Sequence, residues 1–68
     1  MIVDVYVRAE VESQWHMIKV DVQKEFDACR RTVASVLNLE PGTFQLSLVG
    51  GGIVEKSAVL ATGDKLVA

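Results

Sequence analysis

Few side chains in this 68-residue sequence are suited to catalysis or metal binding. Cys29 is the only cysteine and His16 the only histidine, so a Ser-His-Asp triad or a histidine-rich metal site has little to draw on. A nucleophilic Cys29 would need a neighbouring base and a lowered thiol pKa. We interpret Cys29 as a buried structural thiol and His16 as a solvated strand residue. We therefore expect no catalytic residues, no metal ligands and no cofactor.

Two other features also have structural explanations. The run Gly50-Gly51-Gly52 is glycine-rich, but a phosphate-binding loop continues into Lys-Ser or Lys-Thr at the start of a helix. Here Ile53 and Val54 follow, which indicates a turn between strands. The pair Arg30-Arg31 could bind an acidic partner, although a solvated helix face is the simpler interpretation.

Composition excludes several classes of protein. Seven Lys and Arg against nine Asp and Glu give a net charge of −2, whereas a nucleic-acid-binding domain usually carries a basic stripe. The longest apolar run is residues 58–61, far below the about 20 residues needed to cross a bilayer. An unpaired cysteine is typical of a reducing compartment. We expect one domain over residues 1–68 that binds neither nucleic acid nor membrane and is cytoplasmic, or alternatively nuclear.

Alternation of apolar and polar residues predicts most of the strands. Three strands are indicated at residues 1–8, 15–22 and 44–48, and shorter ones at 53–54 and 65–68. The first two would form a hairpin joined by an acidic loop. The residues expected to face the core are Val3, Val5, Val7, Ile18, Val20, Val22, Phe44, Leu46 and Leu48.

After residue 23 the spacing of apolar residues changes from every second position to the spacing typical of a helix. Apolar residues then recur every three or four positions, at Phe26, Cys29, Val33 and Val36 or Leu37, which predicts an amphipathic helix over about residues 24–38. Asn38 is a suitable left-handed cap, and Pro41-Gly42 prevents the helix from continuing. A short helical turn is indicated over residues 57–60.

This order of elements predicts an α+β fold in which the helix covers one face of a single sheet. The first and last strands are expected to lie side by side, in parallel, at the centre of that sheet.

The stretch from Val33 to Gly50 resembles the helix end, proline break, leucine-bearing strand and glycine turn of the ubiquitin-like β-grasp family. The sequence Gly63-Asp64-Lys65-Leu66 is similar to the last turn and strand of that family. The spacing of Phe26, Cys29 and Val33 is similar to that of the apolar residues on the family's helix. The resemblance covers nearly the whole chain. It implies an α+β ubiquitin-like β-grasp roll, with a mixed four- to five-stranded sheet packed on one helix.

Two departures from the family bear on function. Conjugated members and the related sulfur carriers end in a Gly-Gly tail, whereas this sequence ends in Val67-Ala68. A modifier or sulfur carrier would need a tail beyond Ala68. The resemblance also places Ser47 where the family has the isoleucine at the centre of its partner surface, so general binding to ubiquitin receptors is not expected.

The resulting hypothesis is a non-catalytic protein–protein interaction module at the N-terminus of a larger intracellular protein, since Met1 leads directly into a strand. Its exposed sheet face would bind a protein partner of unknown identity. Two alternatives stay open, namely the modifier or carrier and a weakly self-associating domain. A further alternative is that the aromatic and Met side chains of the hairpin only complete the core. The candidate partner-binding residues are Tyr6, Trp15, Met17, Ser47 and Val49.

Overall fold

Five strands and one helix account for most of the computed structural model, which describes residues 1–68. The strands are β1 (Ile2–Arg8), β2 (His16–Asp21), β3 (Leu46–Leu48), β4 (Ile53–Val54) and β5 (Lys65–Val67); the helix is α1 (Phe26–Leu37), and a 3₁₀ turn occupies Ser57–Val59. The fold is α+β, as predicted. Neither the helix nor the 3₁₀ turn combines the length and apolarity needed to cross a bilayer.

The strands form one mixed sheet in the order β2-β1-β5-β3-β4. β1 runs antiparallel to β2, with Val5 opposite Ile18, and parallel to β5, with Val7 opposite Leu66. β3 lies antiparallel to β5 and β4. The predicted parallel pairing of the first and last strands at the sheet centre is therefore confirmed.

The core lies between α1 and one face of this sheet, where the inward residues of each element meet. Because strand residues alternate between faces, the odd-numbered valines of β1 all point to the helix side. Val5, Val7, Val33 and Leu66 have no exposed surface. The eleven residues of the core cluster are Val3, Val5, Val7, Ile18, Val20, Cys29, Val33, Leu46, Val54, Leu60 and Leu66.

The structure defines the predicted helix more closely in two respects. It begins at Phe26 rather than at 24, because Glu25 is extended, with φ −62° and ψ 151°. Val36 is 43% exposed, whereas Ala34 is buried. Of the two alternatives predicted for the last position of the stripe, Leu37 packs against the core, and Ala34 is buried beside it. Asn38, with φ 57° and ψ 46°, is the left-handed cap that was predicted.

The strands are shorter than the alternating pattern indicated. Trp15 and Val22 lie just outside β2, and Phe44 lies outside β3. Two turns depend on glycine: Gly50 follows β3 with φ +78°, and Gly63 precedes β5 with φ +94°. Such positive φ angles are strained for residues with a Cβ. The run Gly50-Gly51-Gly52 is thus the strand-to-strand turn that was expected.

Candidate interaction surface on the outer sheet face

The sheet face that points away from α1, called here the outer face, carries two rows of side chains that cross the strands. In the first row, Tyr6 lies between Met17 of β2 and Lys65 of β5. Val49 extends this row, since its N–H donates to the carbonyl oxygen of Lys65 at 2.9 Å. The row therefore combines one aromatic residue, two aliphatic residues and one cation.

The second row lies next to the first and follows from the same register. Val67 lies between Arg8 of β1 and Ser47 of β3, and Ile53 of β4 lies beyond Ser47. Ile53 is 55% exposed, whereas Arg8, Ser47 and Val67 are half-buried. This row therefore combines one cation, one small polar residue and two aliphatic residues.

Trp15 connects the two rows. Its indole ring lies 5.1 Å from Cζ of Arg8 and 5.5 Å from Nζ of Lys65, measured to the ring centroid. Because Trp15 directly precedes β2 and Lys65 belongs to β5, the ring reaches across β1 on the outer face. Cations at these distances from an indole are attracted by its π electrons. Trp15 therefore has two cationic neighbours.

Arg8 also holds the loop between β1 and β2 in place. Its Nη1 donates to the carbonyl oxygens of Ala9 at 3.2 Å, Glu10 at 3.2 Å and Glu12 at 2.9 Å. Loop carbonyl oxygens would otherwise depend on solvent for hydrogen bonds. The same guanidinium group therefore fixes the loop and supports the ring of Trp15 at its end.

His16 completes the closure of this loop. Its Nε2 lies 3.2 Å from Oε1 of Glu12, and the same carboxylate oxygen accepts a hydrogen bond from the N–H of Ala9 at 3.1 Å. The predicted solvated strand residue is therefore half-buried and has a loop carboxylate as its partner.

Some cations on the outer face have an ion-pair partner and others have none. Lys19 pairs with Asp4 at 3.0 Å, and Asp21 lies 3.6 Å from the amino group of Met1. Neither Arg8 nor Lys65 has a carboxylate within 4 Å, since the three ion pairs of the structure involve other residues. The uncompensated charges therefore lie beside Trp15.

At the opposite end of β2, a backbone hydrogen bond stabilises the charged form of a carboxylate. The N–H of Gln23 donates to Oδ1 of Asp21 at 3.0 Å, and this is the main reason why the pKa of Asp21 lies below its ordinary value. The amino group of Met1 acts in the same direction. Asp21 is consequently ionised at neutral pH.

All five candidate partner-binding residues lie together on the outer face. Tyr6 is 37%, Met17 55% and Val49 57% exposed, while Trp15 and Ser47 are half-buried. Neither Trp15 nor Met17 belongs to the core cluster, so the alternative in which they complete the core is not what the structure shows. Whether these residues bind a partner stays a prediction.

The sequence reasoning missed Arg8 and Lys65 as members of this surface. Arg8 has the same parity as Tyr6 in β1, so the alternating pattern contained a signal for it. Lys65 offered a weaker signal, because its position depends on the pairing between β1 and β5.

An open groove of about 860 Å³ borders the outer face on the side of the second row. Arg8, Ser47 and Val67 form part of its wall. Phe44 and Gln45, which precede β3, form another part. A partner segment lying along the second row would enter this groove.

The other residues considered for catalysis or binding in the sequence have structural roles or exposed positions. Cys29 is buried, and burial raises the pKa of its thiol, which keeps it protonated at neutral pH. No group of three or more His, Cys, Asp or Glu side chains is placed to hold a metal ion. The predicted solvated position is wrong for Arg30, which is half-buried and bonded to the carbonyl oxygen of Phe44, but Arg31 is exposed.

Comparison with solved structures shows that another protein shares the overall fold of this chain. The sequence matches no protein-family profile and no curated protein. Among solved structures, one similar to it is an Arabidopsis thaliana protein determined from evolutionary couplings and sparse NMR data. The TM-score is 0.75 at 15% identity, over 97% of this chain and 82% of the other. A ubiquitin-like protein from the hyperthermophilic archaeon Caldiarchaeum subterraneum aligns with a TM-score of 0.41 at 25% identity, over 98% and 91% of the two chains. With its sheet order β2-β1-β5-β3-β4 and its single helix on one face, the chain has the ubiquitin-like β-grasp fold.

Proposed function

We propose that this domain is a non-catalytic protein–protein interaction module that binds its partner through the outer face. The observation that carries the proposal is the arrangement of exposed Tyr6, Met17 and Val49 in one row beside Trp15. Aromatic and Met side chains are enriched in protein interfaces. Grouped apolar residues that stay exposed on a folded domain usually mark a binding surface.

The non-catalytic part of the proposal rests on the state of Cys29. Its thiol belongs to the core cluster and has a raised pKa, whereas a nucleophilic cysteine requires an accessible thiolate. A buried thiol without a disulfide partner also agrees with a domain that works inside a cell. We include an intracellular location, within a larger protein, in the proposal.

A selection experiment tests the proposal even though the partner is unidentified. Peptides are selected from a phage-displayed random library on the immobilised domain, and each binder is titrated into ¹⁵N-labelled protein. We expect the shifted amides to lie in β1, β2, β3 and β5. Shifts confined to α1 and the 3₁₀ turn would contradict the proposal.

Matched variants make the mapping quantitative. Met17→Ser and Val49→Ser remove exposed apolar side chains from the outer face, while Val36→Ser and Val59→Ser remove similarly exposed ones elsewhere (43% and 58% exposed). We expect the first pair to weaken binding about tenfold or more, as for interface anchors, and the second pair to have little effect. Equal losses in both pairs would contradict a role for the outer face.

Sedimentation of the free domain at several concentrations distinguishes binding to a different protein from self-association. Dimerisation that Met17→Ser abolishes would mean that the outer face binds another copy of the chain, which is the self-association alternative. A monomer at all concentrations would favour a different protein as the partner.

A further inference from the structure

The charge on the outer face differs in sign from the charge of the chain. The whole sequence has a net charge of −2, yet Arg8 and Lys65 stand beside Trp15 without a carboxylate within 4 Å. The third cation of this face, Lys19, is paired with Asp4. The cations of this face that have no ion-pair partner therefore lie at its Trp15 end, although Glu10 lines the groove beside Arg8.

The two cations also retain donors for a ligand. Arg8 uses only Nη1 for the loop carbonyl oxygens, and its Nη2 and Nε make no hydrogen bond within the protein. Nζ of Lys65 makes none either, and Lys65 is exposed. Charged donors bond most strongly to ionised acceptors such as carboxylates. These nitrogens are consequently free to bind an acidic group.

These donors lie between apolar side chains of the first row and the open groove beside the second row. Tyr6 lies next to Lys65 in the first row, with Met17 on its other side, and the groove of about 860 Å³ begins at Arg8. A ligand large enough to contact both cations and the groove would therefore also cover apolar surface. A small free anion would leave that surface exposed.

We infer that the partner presents an acidic segment in which Asp or Glu lies next to an apolar side chain. Its carboxylate pairs with Lys65 or Arg8, and its apolar side chain packs against Trp15 and Met17. This inference rests on the proposed function, because it names the chemistry of the partner for the same face. A nucleic-acid phosphate could meet the same cations, but the net negative charge of the chain disfavours it.

The test compares two charge reversals of equal size. Lys65→Glu reverses a cation beside Trp15, whereas Lys56→Glu reverses an exposed cation outside the rows of the outer face. Both lysines are exposed and neither has an ion pair, and Lys65 contacts only the Trp15 ring, so both variants are expected to fold. Lys65→Gln serves as a second variant that removes the charge without reversing it. Thermal unfolding checks that all three variants are folded.

The probes are the outer-face peptides selected from the phage library, measured by fluorescence anisotropy at 50 and 300 mM NaCl. We expect enrichment of Asp or Glu beside Leu, Ile, Met or an aromatic residue. We also expect binding to weaken at least tenfold with Lys65→Glu, less than twofold with Lys56→Glu, and severalfold at the higher salt concentration.

The outcomes separate the inference from the function on which it rests. Outer-face peptides that are neutral or basic, and whose affinity Lys65→Glu does not change, would overturn the inference and leave the proposed function in place. Binders that map to α1, or no binders at all, would overturn both. An oligonucleotide that binds the outer face and resists displacement by the acidic peptides would overturn the inference in favour of phosphate recognition.

Discussion

The guanidinium group of Arg30 donates a hydrogen bond from Nη2 to the carbonyl oxygen of Phe44 at 3.0 Å, and its Cζ lies 5.6 Å from the centroid of the Phe44 ring. The Nε of Arg30 is buried without a hydrogen-bond partner. One side chain therefore connects the first half of α1 to the segment that leads into β3, fourteen residues later in the chain.

Replacement of Arg30 should destabilise the domain more than replacement of its neighbour. Arg30→Ala removes a charge-assisted hydrogen bond and a cation–π contact, for which we expect a loss of about 1–2 kcal/mol in the free energy of unfolding. Arg31→Ala changes an exposed side chain and should stay within about 0.5 kcal/mol. Urea denaturation measures both. Equal effects would show that the contact with Phe44 contributes nothing.

The orientation of α1 about its axis can be tested with two valines less than one turn apart. Val33 has no exposed surface, whereas Val36 is 43% exposed. We expect Val33→Ala to cost about 2 kcal/mol, from lost burial and the cavity left behind, and Val36→Ala less than about 0.5 kcal/mol. A larger effect at Val36 would mean that the buried stripe of the helix includes this residue after all.

Two substitutions of Asn38, the left-handed cap of α1, should change stability in opposite directions. Asn38→Gly suits φ 57° and should leave stability unchanged or raise it by up to about 1 kcal/mol. Asn38→Val places a β-branched residue in the same region and should cost about 1–2 kcal/mol. Thermal unfolding and amide exchange at Leu39, whose N–H donates to Ala34, report the change.

Stability at alkaline pH should depend on Cys29. Burial raises the pKa of its thiol, so the unfolded chain releases this proton at a lower pH than the folded chain. Both states keep the proton below the ordinary pKa of about 8.5, and stability is lost as the pH rises above it. We expect the stability difference between wild type and Cys29→Ala to shrink between pH 7 and pH 10. A constant difference would contradict this linkage.

The loop between β1 and β2 should depend on Arg8. Arg8→Gln removes the donor that serves three carbonyl oxygens, for which we expect a loss of about 1–2 kcal/mol. Trp15 emission should shift to longer wavelength as the ring becomes more hydrated. Lys24→Gln, at an exposed position without an ion pair, is the control. Unchanged emission in Arg8→Gln would show that the cation does not hold the ring.

Sequence periodicity predicted the parts of the fold that depend on neighbours along the chain. Val3, Val5 and Val7 were assigned correctly to the core because a strand alternates strictly between two faces. The parallel pairing of β1 with β5 followed from the order of elements and from the resemblance. Periodicity left Val36 and Leu37 as alternatives because a helix stripe is broader than one line of residues, and packing decides in favour of Leu37.

The candidate surface was predictable in part. Tyr6 and Met17 follow from strand parity alone. The contacts of Trp15 with Arg8 and Lys65, and of Arg30 with Phe44, depend on side chains that meet only after the sheet has formed. Periodicity carries no information about such contacts, since it describes which face a residue occupies and not how far its side chain reaches.

The parallel pairing of β1 with β5 has a consequence for synthesis of the protein. Val7 meets Leu66 only across the centre of the sheet, so a nascent chain cannot close its core until the last strand has left the ribosome. Contacts so distant in sequence also slow folding. Until then, the edge of β1 that pairs with β5 has no backbone partner, and unpaired strand edges of this kind promote aggregation of incomplete chains.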